Sequence, residues 1–397
     1  MQLRADRPLT TQPPPCLTSL AVTAALTVLS VVGARPNFMK AAPVIAELGR
    51  RPDEFRSILV HTGQHYDDAM SQVFLEELGI GAPDHSLDVG SGSQAQQTAR
   101  VMERLEPVLL ETAPDVVLVP GDVNSTLGAS LTAAKLEVPI GHIEAGLRSF
   151  DRTMPEEINR VLTDALSELL FVHSPEAIGN LTREGVAADR IHMVGNTMID
   201  TLVAMLPRID ALDVPGLLGL ERGAYIVVTL HRPALVDGPL LAEAMAALAR
   251  VAADYTVVFP VHPRTRNRLA GLNGGIATTD RFRLLDPMGY LEFMSLVRTA
   301  VGVVTDSGGI QEETTFLGIP CFTLRANTER PVTCTVGTNT LLGLDPERIA
   351  EVPQLLEEVR TRSTGVPEYW DGAAARRIVD VLARMPHASR EQPARSA

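Results

Sequence analysis

The chain has 397 residues and a formal net charge of −13 at pH 7. The length predicts two or three domains with real apolar cores, and the acidic balance excludes a broad nucleic-acid or anionic-membrane surface. A few local Arg and Lys side chains can still bind an anionic small molecule. The three cysteines, Cys16, Cys321 and Cys334, form no C-x-x-C pair, which is typical of a reducing cytosol and disfavours a zinc-ribbon site. We therefore expect a cytoplasmic protein.

The N-terminal region combines a proline-containing stretch with one long apolar run. The composition of residues 1–22 predicts a disordered extension, and that of residues 386–397 predicts a disordered tail. The run 20–33 is too short to span a membrane and leads directly into the turn GARP. We interpret it as a buried first strand; the alternative is the apolar core of a signal peptide.

Short apolar runs then alternate with amphipathic stretches along the chain, the rhythm of a doubly wound α/β fold with parallel sheets. The predicted strands are 26–32, 56–61, 115–120, 138–143, 168–172, 190–194, 225–229, 255–259, 282–285, 299–304 and 319–323. The predicted helices between them include 92–112, 126–136, 155–166 and 239–252.

The segment 205–224 breaks this rhythm, because its prolines and glycines follow no clear period. We place the domain boundary there, giving Rossmann-like domains at 23–204 and 205–372. A last amphipathic helix is predicted at 373–385. The cleft between the two domains is the default site for a ligand.

Two turns have the composition of anion-binding sites. In GARPNFMK (33–40), Arg35 and Lys40 stand at a helix start, although the spacing is not that of a dinucleotide fingerprint. In VTDSGGIQEETTFLG (304–318), Ser307, Gly308 and Gly309 allow backbone N–H groups to approach phosphate oxygens, and Glu313 can accept from ribose hydroxyls. The alternatives are a turn with solvated charges and a simple helix cap.

Histidines end two consecutive strands of the second domain. His231 in TLHR and His262 in PVHPR are each accompanied by an arginine. One such histidine is most simply a core residue, but two favour recognition of phosphate in the cleft.

Three acids follow strand ends of the first domain: Asp122, Glu144 and Glu156. Ligands of open α/β sheets bind beyond the carboxyl ends of the strands, so the cluster predicts acid–base chemistry. Each acid alone could be a helix cap or a first-turn acid. The pair His142-x-Glu144 lacks a third ligand, so we expect no metal.

Taken together, these motifs resemble the non-hydrolysing UDP-N-acetylglucosamine 2-epimerases over roughly residues 26–345. The matching segments, in the order of that family, are GARPNFMK, TGQHYD, PGDVNST, GHIEAGLRSFDRTMPEEINR, VGNTMID, TLHRP, FPVHPR, TDSGGIQEET and NTERP.

The resemblance implies two Rossmann-like domains in a glycosyltransferase-B-like arrangement, a last helix that returns to the first domain, no cofactor and a homodimer. It implies reversible C2 epimerisation of UDP-GlcNAc to UDP-ManNAc through a bound glycal. The implied catalytic residues are Asp122, Glu144, Glu156 and His231. The implied substrate-binding residues are Arg35, Lys40, Arg148, His262, Phe293, Ser307, Gly308, Gly309, Glu313 and Arg330, and a second nucleotide-sugar would contact Gln64 and His65.

Two departures from the family pattern stand in the second domain. Ala234-Leu235 replaces the usual polar pair after the histidine, and Met288 replaces a polar residue near the base. Two other functions remain open on the sequence alone. They are a glycosyltransferase of the same architecture and a catalytically inactive nucleotide-sugar binding protein.

Overall fold

The computed structural model describes residues 25–63, 77–271 and 279–386, and its strands form two parallel sheets. The first sheet has seven strands in the order β3-β2-β1-β4-β5-β6-β7. They are β1 (Leu26–Val32), β2 (Phe55–His61), β3 (His85–Ser86), β4 (Val116–Pro120), β5 (Ile140–Ile143), β6 (Leu169–Val172) and β7 (Ile191–Met193).

The second sheet has six strands in the order β10-β9-β8-β11-β12-β13. They are β8 (Tyr225–Thr229), β9 (Thr256–Pro260), β10 (Phe282–Leu285), β11 (Gly302–Thr305), β12 (Cys321–Thr323) and β13 (Asn339–Leu341). In each sheet the first strand of the domain lies inside the sheet. The next two strands are added on one side of it and the later strands on the other, as in doubly wound nucleotide-binding folds.

Helices cover both sheets. Those of the first half are α1 (Arg35–Gly49), α2 (Gln94–Thr112), α3 (Asn124–Lys135), α4 (Pro155–Leu166), α5 (Pro175–Arg183) and α6 (Thr197–Ala211). Those of the second half are α7 (Val214–Leu217), α8 (Pro233–Val236), α9 (Leu240–Val251), α10 (Pro263–Leu269), α11 (Tyr290–Val297), α12 (Gly308–Leu317), α13 (Val332–Thr335), α14 (Val352–Thr361) and α15 (Ala374–Leu382). Short 3-10 helices lie at Ala188–Arg190 and Pro346–Glu351.

The predicted fold class, two Rossmann-like domains with a glycosyltransferase-B-like arrangement, is confirmed. Every predicted strand is present, with ends shifted by a few residues, and the short strands β3 and β13 were not predicted. The helix α6 runs past residue 205, so the irregular stretch begins later than its glycines and prolines suggest. The boundary itself stays a prediction.

Burial on both faces explains why the strands are continuous apolar runs. All seven residues of β1 are buried. Leu26 and Val28 pack into one cluster beneath α1, whereas Leu29 and Val31 pack into another on the opposite face. This pattern is expected for a central parallel strand.

The last helix packs on the first domain. Ile378 and Val379 of α15 are fully buried in the cluster that contains Leu26 and Val28. Asp200 of α6 holds the start of α15, because its carboxylate accepts the N–H groups of Ala374 at 3.1 Å and Ala375 at 2.7 Å.

Some of the sequence predictions fall outside the described residues. These are the disordered extension 1–22, nearly all of the tail 386–397, and the residues Gln64 and His65. Within the part of the chain that the structure describes, no helix is both long and apolar enough to cross a membrane.

Replacing Asp200 by Ala removes the acceptor at the start of α15, so we expect the free energy of unfolding to fall by about 1–2 kcal/mol. Burial raises the pKa of Asp200 to about 6 despite its two backbone donors. Because its charge is costly at pH 7, Asp200→Asn, which keeps an acceptor, should lose less stability. Urea unfolding measures both changes.

The matched control is Asp210→Ala, which breaks an exposed pair with Arg298 at 3.3 Å and should cost less than about 1 kcal/mol. Equal losses for Asp200→Ala and Asp210→Ala would show that Asp200 does not anchor α15.

Candidate active site

The functional side chains lie where the sheet orders reverse. The loops after β1 and β4 meet in the first domain, and those after β8 and β11 meet in the second. In such sheets the crevice at this position is the usual ligand site. The topology therefore brings Lys40 of α1 near Asp122 in the first domain, and His231 near Ser307 in the second.

Asp122 stands on a tight turn directly after β4. Gly121 adopts φ +67°, and a Cβ at that position would lie 2.9 Å from Nζ of Lys40 and 3.6 Å from Oε2 of Glu144. Only glycine allows so close an approach of this turn to the two charged groups. The Asp122 carboxylate is one-quarter exposed and pairs with Arg160 of α4. Asp122 and Glu144 therefore project from adjacent turns.

Glu144 follows β5 and connects the two domains. Its own φ is +72°, an uncommon conformation for a residue with a side chain. Its carboxylate contacts Lys40 of α1 and lies 2.7 Å from Nη2 of Arg330 in the second domain. Burial opposes ionisation, but Lys40 and Arg330 more than offset it and hold the pKa of Glu144 well below its usual range. In this state Glu144 is a carboxylate bound by two cations.

Arg330 lies against the glycine-rich turn that precedes α12. A Cβ on Gly308 would be 2.8 Å from Nη1 of Arg330, so this glycine makes room for the guanidinium. Arg330 also lies 2.9 Å from Glu312, and the surrounding carboxylates raise its pKa against the effect of burial. With Ser307 at the N-cap of α12, this cation and the helix N-terminus form a seat with the charge that a diphosphate requires.

Residues predicted to contact a nucleoside lie on α11 and α12 of the second domain. Glu313 is buried on α12 and accepts a hydrogen bond of 2.8 Å from the Tyr290 hydroxyl of α11. Phe293, also on α11, is half-buried and packs on the core beneath, as does Met288. The hydrogen bond therefore fixes α11, which carries Phe293, to α12.

His231 follows β8 and is oriented by Asp306, the residue after β11. Its Nδ1 lies 3.0 Å from Oδ1 of Asp306, and its backbone N–H donates to Oδ2 at 2.8 Å. The side chain is 35% exposed, with its ring 5.6 Å from that of His262. Burial, together with the nearby His231, lowers the pKa of His262. A buried carboxylate behind a half-exposed imidazole is an arrangement suited to proton transfer.

Glu156 occupies the first turn of α4, the helix that also supplies Arg160 to Asp122. It is half-buried and makes no hydrogen bond or ion pair with another described residue. Its carboxylate is therefore available, on the same helix that positions Asp122.

Arg148, an expected substrate contact, is buried between two carboxylates. It borders an interdomain groove of about 670 Å³, but its side chain is only 1% exposed. Its guanidinium lies 2.7 Å from Asp164 and 2.6 Å from Glu184. This placement favours a structural role for Arg148. Arg35 begins α1, and its side chain lies outside the described residues.

The departure Ala234-Leu235 places one side chain at the surface and the other in the core. Leu235 is fully buried in the core of the second domain, whereas Ala234 is exposed on α8. The substitution therefore places an apolar anchor beneath the loop that carries His231.

Several residues at the site were not predicted from the sequence. Arg160, Asp306, Glu312 and His173 have partners distant in sequence, and only Asp306, next to the Ser-Gly-Gly turn, carried a local signal. His173 is buried 3.6 Å from Glu312, and burial lowers its pKa.

Ligand atoms of Glu144, His173 and Glu312 lie within 4.8 Å of one another, the spacing of a metal site. Arg330 already contacts both of these glutamates, and Lys40 contacts Glu144. A divalent cation would have to displace or closely approach these positive charges, so the donor set is poorly suited to a metal.

Comparison with known proteins shows the family of this chain. The family model described as UDP-N-acetylglucosamine 2-epimerase matches residues 46–383. The UDP-N-acetylglucosamine 2-epimerase of Methanococcus maripaludis is 40% identical over 363 residues, covering 89% of this chain and 97% of that protein. The UDP-2,3-diacetamido-2,3-dideoxy-D-glucuronate 2-epimerase of Pseudomonas aeruginosa is 41% identical over 362 residues, covering 90% and 99%.

A solved structure has the same architecture. The Methanocaldococcus jannaschii UDP-GlcNAc 2-epimerase, crystallised with UDP-GlcNAc and UDP, superposes with a TM-score of 0.78 at 36% identity, covering 90% of this chain and 99% of that one. The chain therefore belongs to the UDP-N-acetylglucosamine 2-epimerase family of isomerases.

Proposed function

We propose that this protein interconverts UDP-GlcNAc and UDP-ManNAc by eliminating UDP to a bound glycal and adding it back. The observation that carries the proposal is the contact between Glu144 and Arg330. The Arg330 guanidinium contacts both Glu144 of the first domain and the Ser307–Gly309 turn of the second, so only this group separates the acid from the turn. A hexose whose diphosphate occupies that turn would have its ring beside the acids.

The chemistry requires acids beside C2 of the sugar and cations beside the diphosphate. The C2 proton of a 2-acetamido sugar is weakly acidic, so its removal is coupled to loss of UDP from C1. Re-addition of UDP with protonation on the other face inverts C2. The route needs an acid and a base on opposite faces and cations that hold the departing UDP. It requires neither a metal nor a redox cofactor.

We assign the two faces to acids among Asp122, Glu144 and Glu156, with the third orienting its neighbours. Glu144 is held as a carboxylate by Lys40 and Arg330. A bound diphosphate would compete for the same cations, which would release Glu144 and raise its pKa towards its usual range. The substrate itself would thereby prepare the acid for proton transfer.

His231 would protonate or hydrogen-bond the pyrophosphate. Its half-exposed ring and its contact with the buried Asp306 support this role, because the carboxylate stabilises an imidazolium facing an anionic leaving group. Ser307, Gly308, Gly309, Glu313 and Phe293 would bind the UDP moiety.

A second candidate substrate is a UDP-2,3-diacetamido-2,3-dideoxyuronate. The Pseudomonas relative acts on a sugar of this class and is 41% identical. The reaction at C2 would be the same, and the difference would lie in recognition of C3 and C6. Comparing kcat/KM for the two UDP-sugars decides between them.

Incubation with UDP-GlcNAc in D2O tests the proposed reaction directly, with 1H and 31P NMR as the readout. We expect deuterium at C2 in a mixture of UDP-GlcNAc and UDP-ManNAc, because protonation from exchanged solvent follows every elimination. UDP with free ManNAc would indicate hydrolysis instead.

The same experiment separates the other functions. Exchange without any acceptor sugar contradicts a glycosyltransferase, and binding of both UDP-sugar classes without exchange would identify an inactive binding protein. No exchange with either class overturns the proposal.

Asp122→Asn and Glu144→Gln should each lower the rate of C2 exchange by about 10²–10⁴-fold, the usual contribution of a positioned acid or base. Affinity for UDP should persist in both variants, since neither substitution removes the cations or the Ser307–Gly309 turn of the proposed UDP seat. Titration calorimetry measures it. Glu111→Gln, an exposed position on α2, is the matched control. Near-normal exchange in both site variants would remove these acids from the mechanism.

A further inference from the structure

His142 is a buried histidine that the proposed reaction leaves without a role. It lies on β5, two residues before Glu144, and is fully buried. Its Nδ1 lies 2.6 Å from Oδ1 of Asp164, and its Nε2 lies 2.8 Å from the carbonyl oxygen of Gly121. Both ring nitrogens therefore make short contacts with oxygen atoms.

Both of these partners accept hydrogen bonds. The Gly121 carbonyl has no proton to donate. Asp164 is ionised: although burial opposes its charge, His142 and Arg148 lower its pKa. A neutral imidazole carries only one N–H, so it would direct a lone pair at one of these oxygens. An imidazolium donates to both.

The ion pairs beside the ring agree with that imidazolium. Asp164 lies 2.7 Å from Nη1 of Arg148, and Arg148 in turn pairs with Glu184 at 2.6 Å. Two carboxylates and one guanidinium leave a net negative charge, most of it buried, and a protonated His142 cancels it. Buried charges are tolerated when they are paired in this way.

The contacts of His142 and Asp164 join the turns that carry two acids. His142 holds the peptide of Gly121, directly before Asp122. Asp164 accepts the N–H of Gly146 at 3.1 Å and so fixes the left-handed turn that begins at Glu144. Strained turns of this kind persist only where the surroundings hold them.

We propose that His142 is a positioning residue, a buried imidazolium clamped between Asp164 and the Gly121 carbonyl that sets the spacing of Asp122 and Glu144. The proposal rests on the C2 epimerisation proposed above. His142 touches no substrate in this account. It acts by fixing where the two acids stand, and displacements of about 1 Å in such groups can cost about 10²-fold in rate.

The protonation state is measured on the full-length wild-type protein with 15N-labelled histidine. We expect both ring nitrogens of one histidine to carry protons, because each nitrogen of His142 faces an acceptor oxygen. Asp164→Asn removes the negative partner and should convert this signal to that of a neutral ring. A neutral ring in the wild-type protein would overturn the proposal without any reference to activity.

The kinetic test uses His142→Gln, which can donate to one of the two oxygens but not to both. We expect kcat for C2 exchange to fall by about 10²-fold, with KM changing by less than about threefold, because the UDP seat is untouched. His192→Gln is the control, a half-buried histidine on β7 that packs on Phe171 and holds no acid-bearing turn.

Unchanged kcat in folded His142→Gln would overturn the positioning role. If instead the wild-type protein exchanges no UDP-sugar at all, the proposed function fails, and the nitrogen spectrum still reports separately on His142. The two failures are therefore distinguishable.

Discussion

The arrangement of the site depends on one ion pair across the domain boundary. Glu144 extends from the first domain to Arg330 of the second, with Lys40 on its other oxygen. Breaking such a pair on one side leaves a buried charge without compensation, which is strongly unfavourable. The two domains are therefore held with an acid facing an anion seat, and any anionic ligand that enters must take over the cations that now bind Glu144.

The two sheets explain why these groups meet. Each domain has a strand order that reverses between two central strands, and each contributes its loops at that reversal. The first domain supplies carboxylates on tight turns, and the second supplies a glycine-rich helix N-terminus with His231 and Arg330. In the proposed reaction, proton transfer thus belongs to the first domain and stabilisation of the leaving group mainly to the second. The helices α6 and α15 are joined through Asp200, and α6 packs in the core of the second domain whereas α15 packs in that of the first.

Much of this could be predicted from the sequence, for identifiable reasons. Buried parallel strands are continuous apolar runs, so β1 was found at its observed bounds, and acids after such strands necessarily lie at one edge. The strands β3 and β13 are too short to show a period. Sequence position does not reveal the direction of a side chain, and that of Arg148, an expected substrate contact, points to Asp164 and Glu184. The pairing of Glu144 with Arg330 depends on how the domains dock, and no local pattern encodes that.

The most direct test of the account is a crystal structure of the Glu144→Gln variant with UDP-GlcNAc bound. The account expects the diphosphate at Ser307–Gly309 in contact with Arg330, and C2 of the sugar about 3–4 Å from the carboxamide at position 144 or from the carboxylate of Asp122. A sugar ring remote from both residues, with Arg330 still turned to position 144, would contradict it.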